Sequence, residues 1–143
     1  ADHVLFYCEN IPQVLAECRR VLKNGGRFLC STYGKQHMRE ITDLVQQFHK
    51  EIVLSAEALY ERFGLENGEN LLAPYFSEIQ MRRYEDAIEI AEAEPLISYI
   101  LSCHGNQNQL LLNQYKEFRE FVSARVADGF HITKDAGIFL CRK

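Results

Sequence analysis

Only 3 of the 143 residues are proline and 8 are glycine, too few for a collagen-like, low-complexity or intrinsically disordered chain. No stretch approaches 18 consecutive apolar residues, which leaves no candidate for a membrane-spanning helix. The first residues have neither the basic segment nor the apolar run of a secretory signal, so a soluble, unsecreted protein is expected. Basic blocks are missing as well. Acidic and basic side chains are interspersed along the chain, with a net charge of −4, and nothing is present that could track a phosphate backbone. A dedicated nucleic-acid binder is therefore disfavoured. Cys-x-x-Cys and His-Glu-x-x-His do not occur, and the five histidines include no i,i+4 pair, which argues against a metal site. The five cysteines, Cys8, Cys18, Cys30, Cys103 and Cys141, are odd in number, far apart and set in apolar patterns that suit small buried hydrophobes; a reducing cytoplasmic setting fits them best.

What is present is an ordinary globular composition, 47% apolar and 25% charged. A chain of this length buries roughly 68–70% of its unfolded surface without staples, and one domain over residues 1–143 is the expectation. Asn10 caps a helix with Pro12 in its first turn. Val14, Leu15, Cys18, Val21 and Leu22 form its apolar stripe, and Lys23-Asn24-Gly25-Gly26 ends it. Arg27–Tyr33 then reads as a strand, and the continuous apolar run Phe28-Leu29-Cys30 predicts cover on both faces.

Helical spacing resumes with Met38, Ile41, Leu44, Val45 and Phe48 on one face. Ser55 is placed to cap a short segment through Arg62, and Asn67–Tyr75 reads as a second short helix that Pro74 ends. Ile79–Tyr84 has the imperfect alternation of a strand near a sheet edge. Glu94-Pro95 opens a helix that stops near Gly105, and Asn106-Gln107-Asn108-Gln109 reads as a solvated loop. A further helix carries Tyr115, Phe118, Val122 and Val126 up to Asp128-Gly129. Gly137–Cys141 is the last strand, its apolar run pinning the tail inside a sheet. The chemistry visible in these patterns is thin. Gly25-Gly26 is at the wrong end of its helix to present N–H groups to a phosphate. Cys103 and His104 point apart on a helix, and Glu85-Asp86 and Glu92/Glu94 are explained by solvated positions.

The opening Ala1-Asp2-His3-Val4-Leu5-Phe6-Tyr7, the Ile11-Pro12 helix start and the segment Arg20-Val21-Leu22-Lys23-Asn24-Gly25-Gly26-Arg27-Phe28 together resemble the region after the fourth strand of Rossmann-like, class I S-adenosylmethionine-dependent methyltransferases. Asn24 stands where that family's recurrent turn has proline. The tail, Phe76–Tyr84 and Phe130–Arg142, is similar to the family's two final strands. The family's glycine-rich loop and ribose-binding acid have no counterpart in these residues. The resemblance therefore implies an α/β fold: the C-terminal portion of such an enzyme, a partial Rossmann-like sheet with several covering helices. In it the last strand runs antiparallel between Arg27–Tyr33 and Ile79–Tyr84. It implies S-adenosylmethionine as cofactor, with Ala1, Asp2 and His3 beside its methionine end. His3, Tyr7, Tyr33 and His37 would face a small-molecule substrate, and His3 or Tyr7 could assist its deprotonation.

It also implies that Arg27–Tyr33 has an unpaired edge. A homodimer or strand-swapped assembly is expected there, with Val4–Tyr7 as the replacement strand. Two functional readings follow. The first is methyl transfer to a small molecule by the intact protein, with this portion alone inactive. The second is a non-enzymatic dimerisation or interaction module built on a methyltransferase-like half-fold. A nucleic-acid-modifying enzyme ranks below both because of the acidic balance.

Overall fold

The computed structural model describes residues 1–55 and 58–143. In chain order it contains helix α1 (Ile11–Val21), strand β1 (Arg27–Tyr33), helices α2 (Arg39–Phe48), α3 (Leu59–Arg62) and α4 (Gly68–Leu72), strand β2 (Ser77–Ile90), helices α5 (Ala93–Ser102), α6 (Gln107–Leu111) and α7 (Tyr115–Val126), and strand β3 (Phe130–Arg142). The sheet order is β1-β3-β2. The last strand therefore lies between the other two, as the resemblance implies. It is antiparallel to β1 from Arg27↔Arg142 to Tyr33↔Ala136. Glu78 pairs with Arg142, whereas Arg83 pairs with Asp135, so β2 also runs opposite to β3.

The chain divides into two units, one made of Ala1–His37, Ala58–Glu85 and Asp135–Lys143, the other of residues 38–55 and 86–134. In the first unit α1 begins as its sequence dictates. The Asn10 side chain accepts from Gln13 N (3.0 Å), with Pro at the second helical position, which satisfies an N–H that the first turn leaves without a partner. Ile11 and Leu15 are buried. Val21, expected on the same stripe, is 67% exposed because the helix ends there. Gly25, at φ +72°, takes the left-handed turn that an L side chain would strain. The core places Phe28 flat on Phe76 (4.9 Å, 6°) and Phe63 edge-on to Phe139 (5.9 Å, 65°).

Four expectations for this unit need correction. Burial along β1 alternates, and Leu29 is 44% exposed; Phe28, Cys30 and Thr32 fill the core, but the other face of the strand is open. Val4–Tyr7 is not a strand: Leu5–Tyr7 forms a 3-10 turn that buries Leu5 and Phe6. The β1 edge is occupied. Ala1 N donates to Leu29 O (2.8 Å), Ser31 N to Ala1 O (2.9 Å), His3 N to Ser31 O (3.3 Å) and Leu65 N to Tyr33 O (3.3 Å). The strand read over Ile79–Tyr84 runs from Ser77 to Ile90.

In the second unit α2, α5 and α7 bury Ile41, Leu44, Val45, Leu96, Ile97, Ile100, Phe118 and Val122, the periodic positions of their amphipathic faces. The tract read as a solvated loop, Asn106–Gln109, instead contributes to helix α6, and Gln107 is buried. Backbone groups replace water as partners of its amides, except at Gln107 Oε1, which is buried without a partner among the described residues. Asn106 Oδ1 accepts from Val53 N (2.8 Å), its Nδ2 donates to Glu51 O (2.8 Å), and Gln107 Nε2 donates to Cys103 O. Helix α3 begins at Leu59; residues 56 and 57 of the segment expected to follow a Ser55 cap lie outside the described residues.

Candidate functional site

In the first unit residues 1–3 run parallel to β1, bridging at Asp2↔Ser31. The Ser31 hydroxyl donates to Asp2 Oδ1, and its oxygen accepts from His3 N (3.1 Å). His3 sits in the left-handed region at φ +48°, uncommon for a residue with a side chain. Its ring stacks with that of Tyr33 at the end of β1 (5.9 Å, 20°), and the Tyr33 ring stacks in turn with His37 (5.1 Å, 20°). Phe6 packs beneath, 5.1 Å from Tyr33 and 6.3 Å from His3, and Tyr7 meets Phe6 edge-on at 4.7 Å.

Three of the four residues expected to face a substrate thus form one row of rings, and Tyr7, a residue 66% exposed, joins it through Phe6. Ala1, Asp2 and His3 run directly alongside. Such a row offers flat apolar faces with polar edges, at the carboxyl end of β1, where ligands of open α/β sheets bind.

The turn between Tyr33 and His37 is held by charge. Asp135, 6% exposed, accepts from Gln36 N (3.2 Å) and pairs with Arg83 Nε (3.1 Å). Glu66 accepts from Lys35 N (3.2 Å) and pairs with the same guanidinium (3.3 Å). Gly34 N donates to Asp135 O (2.9 Å), and His37 N to Gly34 O (3.2 Å). Two carboxylates bridged by one arginine therefore take up successive backbone N–H groups of the turn, the charge-assisted form of hydrogen bonding. A side chain at Gly34 would collide with Asp135, its Cβ 2.3 Å from Oδ2.

Phe6 and the Arg83–Asp135–Glu66 cluster were not legible as site residues. Phe6 reads as one more apolar residue of an opening run, and Arg83 and Asp135 stand 52 positions apart in the sequence. The acidic positions set aside as solvated behave so where their partners are clear: Glu94 pairs with Arg119 at the surface. Among the described residues no group of three or more His, Cys, Asp or Glu side chains could hold a metal ion, and no helix is long and apolar enough to cross a membrane.

Residues 1–30 match a family model described as a methyltransferase domain. That stretch contains the Ala1–His3 segment, α1 and the start of β1, which carry the N-terminal part of the resemblance; the tail strands that carry the rest lie outside it. The match supports a class I, S-adenosylmethionine-dependent methyltransferase-like portion over those residues. The mixed α/β architecture with its antiparallel three-stranded sheet agrees with a partial Rossmann-like methyltransferase fold. No curated protein matches the chain.

Proposed function

We propose that the chain is the C-terminal portion of a methyltransferase domain, residues 1–143 in one domain, and that the row His3–Tyr33–His37 borders the place where a small-molecule acceptor receives a methyl group. The observation that carries this reading is the convergence of the rings with Ala1-Asp2-His3 at one strand end, within and next to the stretch that matches the family. S-adenosylmethionine, the donor this family generally uses, supplies when bound a sulfonium methyl with its leaving group already attached. The protein's part is then orientation and exclusion of water.

The residues present fit one end of such a donor. Asp2 bridges to Ser31 of β1, and the His3 ring lies 5.9 Å from that of Tyr33 and 6.3 Å from that of Phe6, which gives the segment an aromatic wall. Ala1, Asp2 and His3 would hold the methionine end, with their backbone already fixed on β1. His3, Tyr7, Tyr33 and His37 would line the acceptor side. His3 Nδ1 or Nε2, or the Tyr7 hydroxyl, would take the proton that an oxygen or nitrogen acceptor loses, a transfer that requires hydrogen-bond reach of the acceptor atom.

Calorimetric titration with S-adenosylmethionine tests the reading. A portion lacking the glycine-rich turn and the ribose carboxylate binds no tighter than about millimolar, some 4 kcal/mol. Micromolar affinity would show that the chain holds a complete donor site, and the assignment to a C-terminal portion would fall. The non-enzymatic alternative, a dimerisation module, has less support, because the β1 edge on which it would form is already paired.

A further inference from the structure

At the opposite end of β1 from the ring row, about 20 Å away at the rise of an antiparallel strand, the open sheet face carries a concentration of positive charge. Arg27 and Arg142 are direct cross-strand partners. Together with Arg82, Gln80, Glu78 and Leu140 they line a groove of about 210 Å³. Glu78 neutralises Arg142 (3.2 Å). Among the described residues the Arg27 and Arg82 guanidiniums have no hydrogen-bond or ion-pair partner. Three guanidiniums against one carboxylate leave two positive charges in one groove of a chain whose net charge is −4.

Like charges directly opposite in a sheet are destabilising. Arginine presents a planar fork that fits a tetrahedral or planar oxyanion through paired hydrogen bonds. One wall is apolar: Leu140, with its cross-strand partner Leu29, 44% exposed, beside it.

We propose that this groove binds a phosphomonoester, its phosphate between Arg27 and Arg82 and its organic body along Leu140. A phosphate carrying close to two negative charges at neutral pH matches the two unpaired guanidiniums. A monocarboxylate would leave one of them uncompensated. The apolar wall distinguishes an organic phosphate from the free ion.

The test uses phenyl phosphate, inorganic phosphate and benzoate against the chain at constant ionic strength, read by amide chemical shifts and thermal unfolding. Phenyl phosphate shifts the signals of Arg27, Leu140 and Arg142 and raises the melting temperature by about 2–4 °C at saturation. It binds at least fivefold tighter than inorganic phosphate or benzoate. Arg27→Gln and Arg82→Gln each weaken it at least fivefold, and at low salt Arg27→Gln alone melts no lower than the parent. The proposal is overturned if phenyl phosphate acts no differently from chloride, if the free ion binds as well as the ester, or if both variants keep the response. Binding of poly-glutamate without binding of phenyl phosphate would also overturn it, by making the groove a protein-docking face.

Discussion

Replacing Gly34 by alanine tests the charged clamp on the turn between Tyr33 and His37. The new Cβ would lie 2.3 Å from Asp135 Oδ2, 2.9 Å from its Cγ and 2.8 Å from Glu66 Oε1. The glutamate can swing away, since its pair with Arg83 is about half exposed. Asp135 is short, buried and engaged on both oxygens, so it has to leave either Gln36 N or Arg83 Nε. A hydrogen bond to a charged group contributes about 1.5–3 kcal/mol, whereas Gly→Ala returns only about 0.4–1 kcal/mol by restricting the unfolded chain. The loss wins, and Gly34→Ala destabilises by about 1–2 kcal/mol. Urea unfolding followed by tyrosine fluorescence and circular dichroism measures it. In the Asp135→Ala background the same substitution costs less than about 0.5 kcal/mol, because the obstructing carboxylate is gone, and a double-mutant cycle reports the difference. A neutral or stabilising Gly34→Ala, or a cost unchanged in the Asp135→Ala background, would refute the clamp.

Three further outcomes are expected. Burial alone would raise the Glu40 carboxyl, but hydrogen bonds from the Thr133 hydroxyl and backbone N–H, with Arg39 nearby, hold it below its usual 4.5. Its contribution is then present above pH 4.5 and lost as pH falls through the folded value; Thr133→Val costs about 1 kcal/mol at pH 7 and brings the NMR-titrated Glu40 pKa back up. Burial, reinforced by the neighbouring Cys141, pushes the Cys30 thiol up to about 12, and burial takes Cys141 up to about 11. Their raised values favour the fold below pH 9, and that contribution disappears between pH 9 and 12. Under native conditions at pH 8 a thiol reagent labels Cys8, Cys18 and Cys103 while Cys30 and Cys141 stay unmodified, as mass spectrometry of the labelled chain would show. Asn10→Ala removes the helix cap and costs about 1 kcal/mol by denaturant titration.

Much of the fold was readable because its signals are local. The Asn10-Ile11-Pro12 start, the Gly25-Gly26 stop and the apolar runs at Phe28–Cys30 and Ile138–Cys141 each depend on neighbours within a few positions, and the elements appear where those signals stand. The departures come from longer range. Charged, exposed residues such as Glu85, Asp86 and Glu89 hide the second half of β2, because an edge strand needs little apolar alternation. Asn106 and Gln107 look like loop residues until Val53, Glu51 and Cys103 provide their partners. The candidate site is intermediate. The family resemblance singled out His3, Tyr7, Tyr33 and His37, but their stacking depends on residues 1–3 pairing with 29–31, and the clamp depends on Arg83 and Asp135 meeting across two strands. No spacing in the chain announces either.

The most direct test is to map amide chemical shifts of the chain on adding S-adenosylhomocysteine at millimolar concentration. Weak perturbations gathered at Asp2, His3 and Tyr33 through His37, and reduced by Tyr33→Ala, are the predicted result. Shifts confined to other surfaces, or none at the ring row, would contradict the proposal that this end of the sheet faces a methyl donor.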